Sequence, residues 1–139
     1  MADYSPTAAN VSASAQATTV NGTAGATVTA GQAVYKSSTD GEWYLLDADD
    51  SSKIGTQGNI GIALNGAADG QPLRVCTFDP AFTPGFTMAV GTAVVGSGTA
   101  GALAPASDLA SSDYHIMLIH PKTTSVGYLY PILSTNAIS

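Results

Sequence analysis

Apolar residues along this chain come in short runs broken by glycine, aspartate and proline. Ala33-Val34-Tyr35-Lys36 reads as a strand and Thr39-Asp40-Gly41 as a turn, because Asp-Gly tolerates positive φ. Glu42 to Asp47 is the returning strand, with Trp43, Tyr44, Leu45 and Leu46. Asp49 to Gly58 is a polar loop. Ile60 to Leu64 follows, apolar enough to be buried on both faces. After the turn Ala68-Asp69-Gly70, residues Gln71 to Phe78 alternate, with Leu73, Val75 and Thr77 on one face. Asp79 to Gly85 contains two prolines and is predicted to be a loop. Thr92 to Val95, the turn Gly98 to Gly101 and the return Ala102 to Ala104 form a second strand pair. One helical turn is expected from Pro105 to Ala110, with proline at its start. His115 to His120 is a strongly apolar strand. In the last strand Val126, Tyr128, Tyr130 and Ile132 alternate, and Pro131 implies an edge position or a bend. No window of ten residues carries an uninterrupted helical stripe. About eight strands at this spacing predict an all-β fold, a compact β-barrel or sandwich.

Two longer-range features modify this picture. The segment from Gly31 to Gly41 resembles the one from Gly91 to Gly101. Six of the eleven positions are identical, including both turn glycines, so an internal pseudo-repeat of a strand–turn–strand unit is expected. Residues 1–25 are different again. They are Ala, Ser, Thr and Asn with one charge, Asp3, and have too little apolar surface to form a core. They are expected to be an extended N-terminal arm ahead of a β domain at 26–139. The arm is either a mobile tail or a segment that orders on a partner. Its larger side chains Tyr4, Pro6 and Val11 are the candidate anchors.

Composition narrows the function classes. Hydrophobic residues make up 45%, which supports a real core, whereas charged residues are 10%, well below the roughly 25% of an average domain. So sparse a charge suits extensive burial against other proteins. The net charge is −6, and the cations Lys36, Lys53, Arg74 and Lys122 are scattered. Nucleic-acid binding needs clustered cations and is not expected. An acidic surface likewise disfavours membrane contact, no apolar stretch reaches bilayer length, and no signal peptide is recognised. Synthesis in a cytoplasm is therefore expected.

Candidate chemistry is sparse, and no catalytic residue or cofactor is predicted. The single Cys76 lies in the apolar run Leu73 to Phe78 and reads as a structural thiol. His115 and His120 are five residues apart on a strand, so they face opposite ways and make a poor metal pair. The loop with Asp47, Asp49, Asp50 and Ser51 lacks the glycine and terminal glutamate of a calcium loop, and no metal is expected there. No Gly-x-Ser-x-Gly elbow or phosphate loop occurs. Tyr35, Trp43 and Tyr44 are candidates for aromatic packing or intersubunit contact, and alternatively for a sugar-binding platform.

Three blocks in order carry a resemblance: Thr29 to Tyr35, Asp40 to Asp49, and Gly61 to Leu73. It continues through Val90 to Val95, Gly101 to Pro105 and Asp113-Tyr114. This succession, spanning roughly Val28 to Pro131, resembles the small capsid decoration (cement) proteins of tailed bacteriophages. The resemblance implies a structural protein on the outer surface of the virion head. It further implies a homotrimer that bridges neighbouring major capsid proteins, with an N-terminal segment that runs over the shell. The alternatives are a fibre or tail domain that binds host glycans through Trp43 and Tyr44, and a β-fold hydrolase using His115 or His120.

Overall fold

A computed structural model of the chain describes residues 3–108 and 114–137. The segment 109–113, with the end of the expected helical turn, and both extreme termini lie outside the described residues. The described residues are all-β, with no α-helix. Nine strands occur: β1 (Thr18–Thr23), β2 (Ala33–Lys36), β3 (Trp43–Leu45), β4 (Ile60–Ala63), β5 (Pro72–Phe82), β6 (Val94–Gly96), β7 (Leu103–Pro105), β8 (Tyr114–Pro121) and β9 (Gly127–Ala137). They form one strongly curled antiparallel sheet, a half-barrel, in the order β3-β2-β4-β5-β9-β8-β6-β7, and β1 pairs additionally with β5.

The two halves of this order follow one scheme. Each is a hairpin whose first strand pairs with the third, and the third with the fourth; the two fourth strands, β5 and β9, join the halves. The hairpins have matching registers. Val34, Tyr35 and Lys36 pair with Leu45, Tyr44 and Trp43, and Val94, Val95 and Gly96 pair with Pro105, Ala104 and Leu103. Their turns match as well. Ser37 N donates to Glu42 O and Ser97 N to Ala102 O, while the Ser37 and Ser97 hydroxyls accept from Thr39 N and Thr99 N. Gly41 and Gly101 have φ of 74° and 77°, a region other residues enter at a cost.

Alternation sorts the side chains into two cores. Ala33, Leu46, Ile60, Ile62, Cys76 and Phe82 join Val94, Leu103, Ile116, Leu118, Ile119 and Leu129 in the main core inside the curl. Val34, Trp43, Ala63, Leu73 and Val75, from the other face of the first half, form a smaller cluster with Ala24, Val28 and Ala67. β4 is therefore buried on both faces, as its unbroken apolar run demands. The second hairpin returns to the first: Ala33 N donates to Gly101 O, Gly101 N to Leu46 O and Ala48 N to Ser97 O.

Three local expectations change. Residues 18–23, expected within the arm, are a strand paired with β5 from Thr23↔Pro72 to Thr18↔Phe78. The expected loop from Asp79 is strand as far as Phe82, because Pro80 falls at a register break where a missing N–H does not interrupt the ladder. Pro131 lies within β9, between the pairs Met117↔Ile132 and Ile119↔Leu129, where three β9 steps oppose two on β8. There the Gln57 amide substitutes for a neighbouring strand, donating to Pro131 O (2.8 Å) and accepting from Leu133 N (2.9 Å).

Candidate interaction surface

The N-terminal segment is extended but lies on its own body. Tyr4 N donates to Leu103 O, Thr7 N to Gly85 O, and Ser12 exchanges a bond pair with Thr83. Gly25 N donates to Trp43 O. The segment thereby reaches both end strands of the sheet, β7 through Tyr4 and β3 through Gly25, and covers edges that would otherwise template aggregation. Tyr4 stacks on Phe86, centroids 4.3 Å apart, and Val11 packs against the main core. Pro6 and Val11 press on Gly31, where an added Cβ would lie 2.7 Å from Pro6 Cβ. Tyr4, Pro6 and Val11 are thus engaged within the chain and only partly exposed. Ser14 donates through its N–H (2.6 Å) and hydroxyl to the Asp79 carboxylate, which also accepts from Ala81 N (2.9 Å). Asp79 is fully buried, and these donors replace its hydration.

The expected aromatic group divides. Tyr35 and Tyr44 pair across the β2–β3 hairpin, centroids 6.1 Å apart, whereas Trp43 pairs with Lys36 on the other face. Trp43 is buried in the smaller cluster, so it shares no platform with Tyr44. The tyrosine face is acidic. Tyr44 Oη donates to Asp40, and this bond, with burial and the carboxylates of Asp40, Glu42 and Asp69, pushes the Tyr44 hydroxyl up to about 12. The same bond lowers Asp40. Burial, then Asp50 and Asp40, raises Tyr35.

A second aromatic face was only half legible in the sequence. β9 turns Gly127, Leu129 and Pro131 inward and Tyr128, Tyr130 and Ile132 outward. Tyr130 and Ile132 remain 50% and 44% exposed. Phe78 of β5 meets Tyr128 and Tyr130 edge-on at 5.5 Å and 6.0 Å, the quadrupole-favoured arrangement. Lys122 Nζ lies 5.5 Å from the Tyr128 centroid and donates to Pro80 O. The alternation of the tyrosines was visible, but which phase faced water was not, and Phe78 appeared only as the end of an alternating strand. A shallow cleft of about 120 Å³ beside Phe78, Tyr130 and Gln57 shares Gly58 and Thr77 with a second of about 260 Å³ lined by Val20, Asn21, Lys36 and Trp43. Together they make one groove across the first half.

The other candidates gather no chemistry. Burial pushes the Cys76 thiol up to about 11, so it is protonated at neutral pH and a poor nucleophile. Asp47 and Asp50 accept from the backbone N–H groups of Asp49 and Ser52, which fixes the loop locally. His115 Nε2 is buried without a hydrogen-bond partner among the described residues, and His120 is on the same strand beside Tyr128. No group of three His, Cys, Asp or Glu able to hold a metal occurs among the described residues. No protein-family model matches the chain, and a search of curated proteins returns no match.

Proposed function

We propose that the chain is a structural virion protein that coats the outside of a tailed-phage capsid and bridges neighbouring major capsid subunits. The resemblance of residues 28–131 supplies the class of partner. The observation that supports it best is the N-terminal segment fixed along the β body, whose one charged side chain, Asp3, is engaged by the Ser97 hydroxyl. Tyr4, Thr7 and Ser12 tie it down, while the short 3₁₀ turn Ala8–Asn10 between them buries no residue. Ser5, Thr7, Ala8, Ala9 and Asn10 are exposed and carry no charge, so a second protein can cover them without stripping water from an ion. In this reading the segment's inward side chains hold it in place and its outward side meets the shell. A shell offers many identical sites, so repetition compensates for modest single contacts.

The test is binding to purified expanded capsids, with capsid heat resistance measured as sites fill. Saturable binding with resistance rising with occupancy is expected. Ala8→Glu combined with Ala9→Glu should abolish binding while leaving the isolated protein's unfolding midpoint unchanged. Capsids whose heat resistance ignores occupancy would overturn the proposal.

A further inference from the structure

We propose that the groove bordered by Phe78 and Tyr130 docks a second copy of this chain, and that the surface it receives is the acidic tyrosine face of the β2–β3 hairpin. Two independent observations select this occupant. The first is apolar exposure. Of the four large hydrophobic residues exposed among the described residues, Tyr130 lines the groove at one end and Val20 at the other, and Ile132 follows Tyr130 on the same outward side of β9. Aromatic side chains in such a setting carry most of the energy of a protein contact.

The second is charge. The chain has ten acidic and four basic residues, yet no carboxylate lines the groove. Its one charged lining residue is Lys36, and Lys122 stands outside the lining, over the neighbouring Tyr128 ring. The complementary surface is on the same molecule, where Asp40, Glu42, Asp50 and Asp69 act on Tyr35 and Tyr44. Lys36 and Trp43 on one side of the hairpin, and Tyr35 and Tyr44 on the other, alternate along the same two strands and so face opposite ways. A surface and its complement on opposite faces cannot meet in a two-fold pair. They join head to tail, which closes into a ring or continues as a filament.

This deepens the self-association expected alongside the capsid role but needs no shell. The purified chain should sediment as a multiple of 13.9 kDa, with dissociation on dilution. Tyr130→Ser with Ile132→Ser should weaken association by at least about tenfold. A groove variant, Lys36→Glu with Lys122→Glu, and an acidic-face variant, Glu42→Lys with Asp69→Lys, should each be monomeric. All four sites of this charge pair are surface groups, and circular dichroism with urea midpoints confirms folding. Mixed, the two variants offer one native interface and one charge-swapped interface, with Glu in the groove of one facing Lys on the hairpin of the other, and should regain association that neither shows alone. A wild-type chain that stays at 13.9 kDa at its highest soluble concentration would overturn the proposal, as would folded variants that keep the wild-type mass or a mixture that stays monomeric. Self-association without capsid binding would refute the capsid role alone, and capsid binding by a solution monomer would refute this inference alone.

Discussion

Asp79 shows how much one buried carboxylate can organise. Its three donors come from Ser14 and Ala81, so it ties the N-terminal segment to the break in β5. Asp79→Ala leaves Ser14 N and Ala81 N without that acceptor, at about 1–3 kcal/mol for a buried donor left unmet. Asp79→Asn keeps the shape and one acceptor oxygen and should lose less. Urea unfolding of the three proteins checks the order. Cys76 makes a pH prediction with a defined sign. Its thiol ionises near 9.0 when unfolded and only near about 11 when folded. The folded state therefore holds a proton that the unfolded state releases between these values, and stability falls as pH rises through that window. Tyr44, moved from 10.0 to about 12, acts in the same direction but is screened by solvent. Unfolding midpoints measured from pH 8 to 11 should fall, and less steeply in Cys76→Ala.

At the scale of elements, matched positions in the two hairpins should not respond alike. Gly41 and Gly101 hold the same turn position at positive φ, so alanine strains both by roughly 1 kcal/mol. At Gly41 the nearest atom to a new Cβ is Lys36 Cε at 3.9 Å, but at Gly101 Leu45 Cδ2 lies at 2.9 Å and Gln32 follows at 3.2 Å. Gly101→Ala should therefore be the more destabilising, but only modestly, because Leu45 Cδ2 and the Gln32 amide are side-chain ends that can move aside. Equal urea midpoints for the two variants would contradict this packing. The hairpins themselves were legible in the sequence, since hydrophobic runs between turn glycines set them. β1 was not legible. Thr18-Thr19-Val20-Asn21-Gly22-Thr23 has no apolar face of its own and is a strand because β5 offers it a ladder. Gly22 serves that ladder by admitting the Trp43 indole, whose Nε1 would lie 2.6 Å from any added Cβ. Pro80 marked a loop by propensity, and only the register break shows why a strand tolerates it. The outward phase of β9 and the burial of Asp79 depend on partners about 45 to 65 residues away in β5 and the N-terminal segment, beyond the reach of local pattern.

For the whole molecule, the decisive question is whether residues 1–17 belong to the fold or to the partner. Tyr4, Val11, Ala13 and Ala17 pack against the main core, and the segment supplies both Ser14 donors to Asp79. Half-burial of a tyrosine and a valine is worth roughly 1 kcal/mol each, and the unmet Asp79 adds about 1–3 kcal/mol. Deleting residues 1–17 should therefore remove about 3–5 kcal/mol, a large share of the 5–15 kcal/mol typical of a domain. It also uncovers Phe86 and the Leu103 edge, so the shortened chain should scatter light at concentrations where the full chain is clear. An appended tail predicts the reverse, an unchanged urea midpoint and a clear solution. If the loss is found, the segment is part of the rigid body before any shell is met. Under the proposed capsid role, binding would then carry no ordering entropy for these residues, and any contribution from the outward side of Ala8–Asn10 would not be discounted by the roughly 1–2 kcal/mol per residue that fixing a disordered arm takes.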